Sequence, residues 1–374
     1  MIYLDSAATS LMRPQSVEYA MLDALRNMAS PGRGGHVPAM KAAETVYACR
    51  CAAAEFFKAD DAERILFTFN ATHALNIAIK SIVCSGDRVL ISGFEHNSVT
   101  RALRAAGAEI IVAGRKLFDP TDTIKSFERL VKQADAVVCT HVSNVFGYVL
   151  PIYEIAALCR KYNRPLIIDA SQSAGMLPVD QSLLQADFIA MPGHKGLMGP
   201  QGTGILICGR TPAALLHGGT GSDSISQSMP DYMPDIGEAG THNVCGIAGL
   251  KAGIDYIRAR GLSSLLRHEI SRKSLAVKML SDCDALELFY ADGELQTGVL
   301  SLRCKSIDCE YMASELAARG VCVRSGLHCA PLAHESAGTL DTGTVRLSFS
   351  PFTTAEETVM ASRHIKSLCK RGKV

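Results

Sequence analysis

The stretch Ile189–Gly209, "IAMPGHKGLMGPQGTGILICG", sets one lysine, Lys195, between two short apolar runs. Five glycines between Gly193 and Gly204, with prolines at 192 and 200, exclude regular helix there. Glycine makes helix entropically costly, and proline lacks the amide hydrogen that a helix needs. The segment is therefore predicted to be a shaped loop joining two strands, "FIAM" (188–191) and "GTGILIC" (202–208). It is too short for a helical crossover, so the second strand is expected as an antiparallel addition.

Five further β-rich runs lie upstream: "RILFTF" (64–69), "DRVLIS" (87–92), "EIIVA" (109–113), "AVVCTHV" (136–142) and "PLIIDA" (165–170). Helical stretches such as "SVTRALRAAG" and "YEIAALCRKYN" separate several of them. Apolar strands alternating with helices predict an α/β fold, with a mostly parallel seven-stranded sheet covered by helices on both faces. After about residue 250 the pattern changes. One long helix-like stretch, "GLKAGIDYIRARGLSSLLRHEISRKSLAVKMLSD", precedes "TGVLSLRC", "CEYMASELAARG", "VCVRSG" and "TVRLSFS". That is the signature of a smaller α+β unit. The expected division is a large cofactor-binding domain over 15–250, with 1–14 and 251–374 forming the small domain.

Composition narrows the function classes. The 374 residues carry 38 Lys+Arg against 37 Asp+Glu, a formal charge of +1. The only basic run is the tail "KSLCKRGKV", which reads as a frayed end because no basic stripe accompanies it. Nucleic acid is not an expected partner. No run approaches the ~18 apolar residues of a membrane span, and the start "MIYLDSAATS" lacks the pattern of a secretory signal. The 13 cysteines are odd in number, fall in places such as Cys49, Cys84, Cys139, Cys159 and Cys208, and form no C-x-x-C pair. Neither a disulfide framework nor a metal site is expected; reduced, buried thiols of a cytoplasmic protein fit better.

In open α/β sheets ligands sit at the carboxyl ends of the strands. The segments just past those ends are "NATHALN" (70–76), "GFEHNSV" (93–99), "HVSNVFG" (141–147), "DASQSAG" (169–175) and "PGHKG" (192–196). An exposed loop lysine is ordinarily just solvated, and a lone aspartate after a strand is ordinarily a helix cap. Their convergence with histidines, an asparagine and a glutamine on one sheet edge points to chemistry instead. A lysine amine can hold an aldehyde cofactor as a Schiff base, and pyridoxal phosphate needs an acid at its ring nitrogen. Lys195 and Asp169 supply that pair. Ala71 and Thr72, at the start of an apparent helix, supply a place for the phosphate.

The motifs "YLDSAAT", "RGGH", "EHNSV", "THVSNVFG", "DASQSAG", "GHK", "EAGTHN", "RSGLHCA" and "VRLSFSPFTT" occur in an order that resembles the cysteine desulfurases and selenocysteine lyases. These are pyridoxal 5'-phosphate-dependent enzymes of the class V aminotransferase group, with the type I transferase fold. The likeness runs nearly end to end, and "RSGLHCA" is similar to the group with a short cysteine loop. The resemblance implies Lys195 as the cofactor lysine, Asp169 at the pyridine nitrogen, Gln172 near the phenolic oxygen and His96 stacked on the ring. It implies Ala71, Thr72 and His194 at the phosphate, Asn144 near substrate and cofactor, and Arg346 on the substrate carboxylate, where a bidentate guanidinium suits a planar anion. Thr241 resembles a position that reaches the phosphate of a neighbouring subunit, implying a homodimer with shared active sites. Cys329 matches the cysteine that takes the sulfur, and its Gly/Pro-bounded polar loop favours exposure over the inert core role of most cysteines. His36 matches an entrance-lining position, with a merely structural loop histidine as its rival. His141, inside a predicted strand, reads as a satisfied core histidine.

The sequence also departs from the family pattern. A phosphate-binding serine common two residues before the histidine of "GHK" is Pro192 here, so one contact has to be replaced or lost. The common threonine–glutamate pair is Thr72–His73, and the atypical stretch 217–240 could cover the site mouth. The expected activity is removal of sulfur from L-cysteine, giving L-alanine and a Cys329 persulfide for a sulfur-acceptor protein or thiol. The alternatives are a selenocysteine lyase or related C–S lyase acting on L-selenocysteine, and a weakly catalytic cofactor-bound sulfur-relay scaffold.

Overall fold

A computed structural model describes residues 1–31 and 34–371. Arg33 of "RGGH" and the last three residues of the basic tail lie outside that set. The seven expected strands all form: Ile65–Thr68, Arg88–Ser92, Glu109–Ala113, Ala136–Thr140, Leu166–Asp169, Phe188–Pro192 and Gly204–Cys208. They build one sheet whose spatial order is 65–68, 204–208, 188–192, 166–169, 136–140, 88–92 and 109–113. Strand 204–208 is antiparallel to both neighbours, and the other neighbouring pairs are parallel. It is not an edge addition, because strand 65–68 flanks its far side.

Period-two alternation along the strands feeds two cores. In strand 188–192, Ile189 and Met191 pack with Val46, Phe57, Ile155 and Ile254, from helices Val37–Phe57, Ile152–Lys161 and Val244–Arg260. Phe188 and Ala190 face the other way, onto Leu75, Ile79, Val99 and Leu103 of helices Ala71–Ile82 and Asn97–Ala105. Burial on both faces is the reason these strands read as continuous apolar runs.

The long stretch 249–282 is not one helix. Val244–Arg260 and Leu262–Leu280 are separate helices broken at Gly261, whose φ of 80° ends the first ladder. An isolated glycine within a helical pattern carries no sign of which φ it will adopt. Beyond it, strands Arg324–Gly326, Thr344–Ser348, Val299–Cys304 and Leu286–Phe289 form an antiparallel sheet in that order. Leu280, Leu300, Leu347 and Ile365 lie in its core. The chain start joins this unit, with Ile2–Tyr3 pairing in parallel with Val321–Cys322. Of the five cysteines expected to be buried, Cys84 is exposed instead, in a turn rather than an apolar run. Among the described residues, no helix is long and apolar enough to cross a membrane.

Candidate active site

The carboxyl ends of strands 88–92, 136–140, 166–169 and 188–192 open onto one solvent-connected cleft enclosing about 780 Å3 of space. Lys195 follows strand 188–192 in a turn closed by bonds from Met198 N to Lys195 O (2.8 Å) and Gly199 N to Gly193 O (2.8 Å). The glycines are steric requirements. A Cβ on Gly196 would lie 2.4 Å from the Ala174 carbonyl oxygen, and one on Gly175 would lie 2.3 Å from the Gly196 oxygen. The lysine loop is thus seated against the loop that follows Asp169. Among the described residues the Lys195 amine takes no hydrogen bond or ion pair. Burial lowers its pKa from 10.5 to about 8, with Arg346 and Arg324 adding to the fall and Asp169 opposing it.

Asp169 ends strand 166–169, is buried, and accepts one bond from Ser171 N at 2.9 Å. His96 caps helix 97–105, its Nδ1 accepting from Ser98 N at 3.1 Å. Burial drives its pKa down to about 4, so the ring is neutral with its proton on Nε2. Ala71 and Thr72 open helix 71–82, whose cap, Asn70, serves the N–H of His73. Among the described residues the N–H groups of Ala71 and Thr72 have no acceptor, as first-turn amides do not within their own helix. His194 Nδ1 lies 3.1 Å from Thr9 Oγ1, and burial holds its pKa near 4. Gln172 reaches across to donate to Ala7 O at 2.9 Å.

Arg346, 1% exposed, donates from Nη1 to Asn144 O at 2.8 Å and from Nη2 to Asp5 at 2.7 Å. Its Nε is buried without a partner. Cys329 is exposed and Arg324 Nη2 lies 3.6 Å from its sulfur. The neighbouring His328 is buried and far too weakly basic to carry charge. Arg324, rather than the adjacent histidine, is therefore the cation at the thiol.

The family model for aminotransferase class-V matches residues 2–359. The chain belongs to the class-V aminotransferase family. It is 32% identical to a probable cysteine desulfurase of Methanothermobacter thermautotrophicus, over 99% of this chain and 95% of the relative. A cysteine desulfurase of Yersinia pestis is 32% identical over 88% of this chain and 84% of its own. Among solved structures, the apo cysteine desulfurase of Thermococcus onnurineus NA1 superimposes with a TM-score of 0.91 at 29% identity, covering 99% of this chain and 95% of that one.

Class-V aminotransferases are pyridoxal-phosphate enzymes, and the residues present fit that group. The cleft joins an unbonded amine of lowered pKa, a buried carboxylate, a neutral imidazole, unpaired helix-start N–H groups and an orphaned Arg346 Nε. Lys195, Asp169, His96, Asn144, Gln172, His194, Ala71, Thr72 and Arg346 all line it. Three further candidates do not line this chain's own cleft. Thr241 is exposed in a separate depression beside Phe67, His73 and Glu238. His36 does not line this chain's own cleft; it sits exposed at the start of helix 37–57, whose Pro38 carbonyl is tied to Ala29 N. Among the described residues, none from 217–240 lines the cleft. His141 is buried just past its strand, but its Nδ1 has no partner, so it is not a satisfied histidine.

Sequence reasoning missed four residues. Ser98 and Arg324 line the cleft, and both stood within quoted motifs, "EHNSV" and "RSGLHCA". Asp5 of "YLDSAAT" pairs with Arg346. Glu95 lies fully buried, and burial pushes its pKa up to about 8, so it is an uncharged acid at neutrality. Its Oε1 accepts from Ser92 Oγ and from Thr140 N at 2.8 Å, tying two strand ends together behind His96.

Proposed function

We propose that this chain is a pyridoxal 5'-phosphate-dependent cysteine desulfurase that turns L-cysteine into L-alanine and leaves the sulfur as a persulfide on Cys329. The observation that carries the reading is a free, weakly basic Lys195 amine sharing one cleft with Asp169 and Arg346, while Arg324 links that cleft to an exposed thiol. The relatives' names support the same activity.

Bound cofactor supplies an electron sink conjugated with the substrate amine. Asp169 would hold the ring nitrogen, His96 a ring face and Gln172 the phenolic oxygen, while Ala71, Thr72 and His194 would hold the phosphate. Arg346 grips the substrate carboxylate, its guanidinium oriented by Asn144 and Asp5. Lys195 takes the α-proton; as alanine forms, the β-carbon gains the proton that the Cys329 thiol gave up on ionising, and Lys195 returns a proton to the α-carbon. The Cys329 thiolate attacks the substrate sulfur; the S–S bond forms as the C–S bond breaks, and its electron pair passes to the β-carbon that becomes alanine's methyl group. A sulfur-acceptor protein or small thiol then discharges the persulfide.

Residues 15–250 form the cofactor-binding domain, and 1–14 with 251–374 the small domain that brings Arg346 and Cys329. The working unit is a cytoplasmic homodimer in which the exposed Thr241 serves the neighbouring subunit's phosphate. The test is alanine and sulfide release from cysteine in the presence of a reducing thiol, with mass spectrometry of the Cys329 peptide. The reading requires stoichiometric alanine and one added sulfur on that peptide; a keto acid in place of alanine would mark a transaminase.

A further inference from the structure

Ser98 lies at the meeting point of two regions of the cleft that no expectation connected. Its Oγ is 2.8 Å from Thr72 Oγ1, at the start of helix 71–82, and 3.0 Å from His96 Nδ1. All three side chains line the cleft. The neutral His96 ring has a single acceptor lone pair, on Nδ1, and the Ser98 backbone N–H already claims it at 3.1 Å. The Ser98 hydroxyl proton is therefore not needed at His96; with Thr72 Oγ1 donating to Ser98 Oγ, it turns toward an anion beside the start of helix 71–82.

The anion end of this cleft is short of donors. From this chain it offers the N–H groups of Ala71 and Thr72 and the His194 ring, whose Nδ1 is already engaged with Thr9, while the Thr72 hydroxyl is spent on Ser98; the homodimer proposed above would add one hydroxyl, that of the partner's Thr241. Pro192 lines the same wall and supplies neither an N–H nor a hydroxyl. The cations that line the cleft, Lys195, Arg324 and Arg346, are spent on the reacting end, where Arg324 meets the Cys329 sulfur and Arg346 meets Asp5 and Asn144. A phosphate there is held by neutral donors, so each hydroxyl matters more than it would beside an arginine.

We infer that Ser98 is a phosphate-binding residue of the cofactor site, donating its hydroxyl proton to the phosphate in place of a donor at position 192. The inference rests on the pyridoxal-phosphate reading above. It adds that one residue fixes the ring-facing histidine through its backbone and the phosphate through its side chain.

The test is titration of the cofactor-free protein with pyridoxal 5'-phosphate and, separately, with pyridoxal, which has no phosphate. Losing one hydrogen bond to a charged group predicts roughly tenfold or greater weakening of pyridoxal 5'-phosphate binding in Ser98→Ala, with pyridoxal binding unchanged. Ser98→Cys keeps the side-chain shape with a weak donor and is expected to behave like Ser98→Ala, whereas Ser98→Thr stays near wild type. Pro192→Ser in the Ser98→Ala background should regain most of the loss, and the 31P resonance of bound cofactor should move in Ser98→Ala. Undiminished pyridoxal 5'-phosphate affinity in both Ser98→Ala and Ser98→Cys would overturn the inference, as would an equal loss for both ligands. A wild-type protein that binds neither ligand would instead overturn the cofactor reading itself.

Discussion

The main-chain N–H of Asn97 donates to the carbonyl oxygen of Cys329 at 2.7 Å, fastening the thiol-bearing loop to the helix start capped by His96. Asn144 Nδ2 does the same for the neighbouring carbonyl, His328 O, at 2.8 Å. His328 and Cys329 both sit in the left-handed region, at φ of 50° and 57°. Non-glycine residues adopt that conformation at a cost of about 1–3 kcal/mol each, when their surroundings impose it. Asn144→Ala removes one of the two ties. It should slow alanine formation from cysteine about tenfold or more while the bound-cofactor spectrum persists. Steady-state kinetics beside the absorption spectrum check this.

Cys329→Ala should abolish alanine release from cysteine and leave cofactor binding intact. A selenol is acidic and leaves readily, so release of alanine from selenocysteine should survive in the same variant. Parallel kinetics with the two amino acids decide between a sulfur-accepting and a merely assisting cysteine.

The Lys195 amine titrates near 8 in place of 10.5, chiefly because it is buried. In the cofactor-free protein its reactivity toward an amine-directed reagent should therefore rise with pH and level off above about 8. Removing the cation in Arg324→Gln should move that titration up, and Asp169→Asn should move it down. The native chain binds fewer protons at Lys195 than the unfolded chain between about 8 and 10.5. This group's contribution to stability consequently grows as pH rises through that window. A titration unmoved by either substitution would contradict the electrostatic account.

Glu238 is buried among Arg50, His242 Nε2 (2.9 Å) and the N–H of Phe67 (2.6 Å). Burial alone would push its pKa up, but His242 and Arg50 together hold it below the ordinary range. Glu238→Gln strands the buried Arg50 guanidinium and should cost about 3–5 kcal/mol. Urea denaturation of the variant would register that loss as a lower midpoint. Replacing an exposed pair such as Lys41–Asp23 should change little.

Gly196→Ala drives a Cβ against the Ala174 carbonyl oxygen. The variant should keep its helix content by far-UV circular dichroism yet lose cofactor binding, because the displaced loop carries Lys195. Retention of wild-type affinity would mean that the loop relaxes without moving the lysine.

Local sequence was sufficient for the seven strands, the loop carrying Lys195 and the antiparallel strand after it. Their cues, glycine and proline in the loop and apolar runs on either side, act within a few residues. The motifs marked nine residues that do share the cleft. They could not show that Arg346 is already held by Asp5 from the chain's other end, or that Arg324 rather than His328 stands at the thiol. Nor could they separate His36 and the 217–240 stretch from this chain's own cleft. Those outcomes depend on which carbonyls, carboxylates and hydroxyls come within about 3 Å of one another. The packing of the sheets and their loops sets such distances, whether between residues five positions apart, like Arg324 and Cys329, or hundreds apart, like Asp5 and Arg346, so they became visible only once the chain was folded.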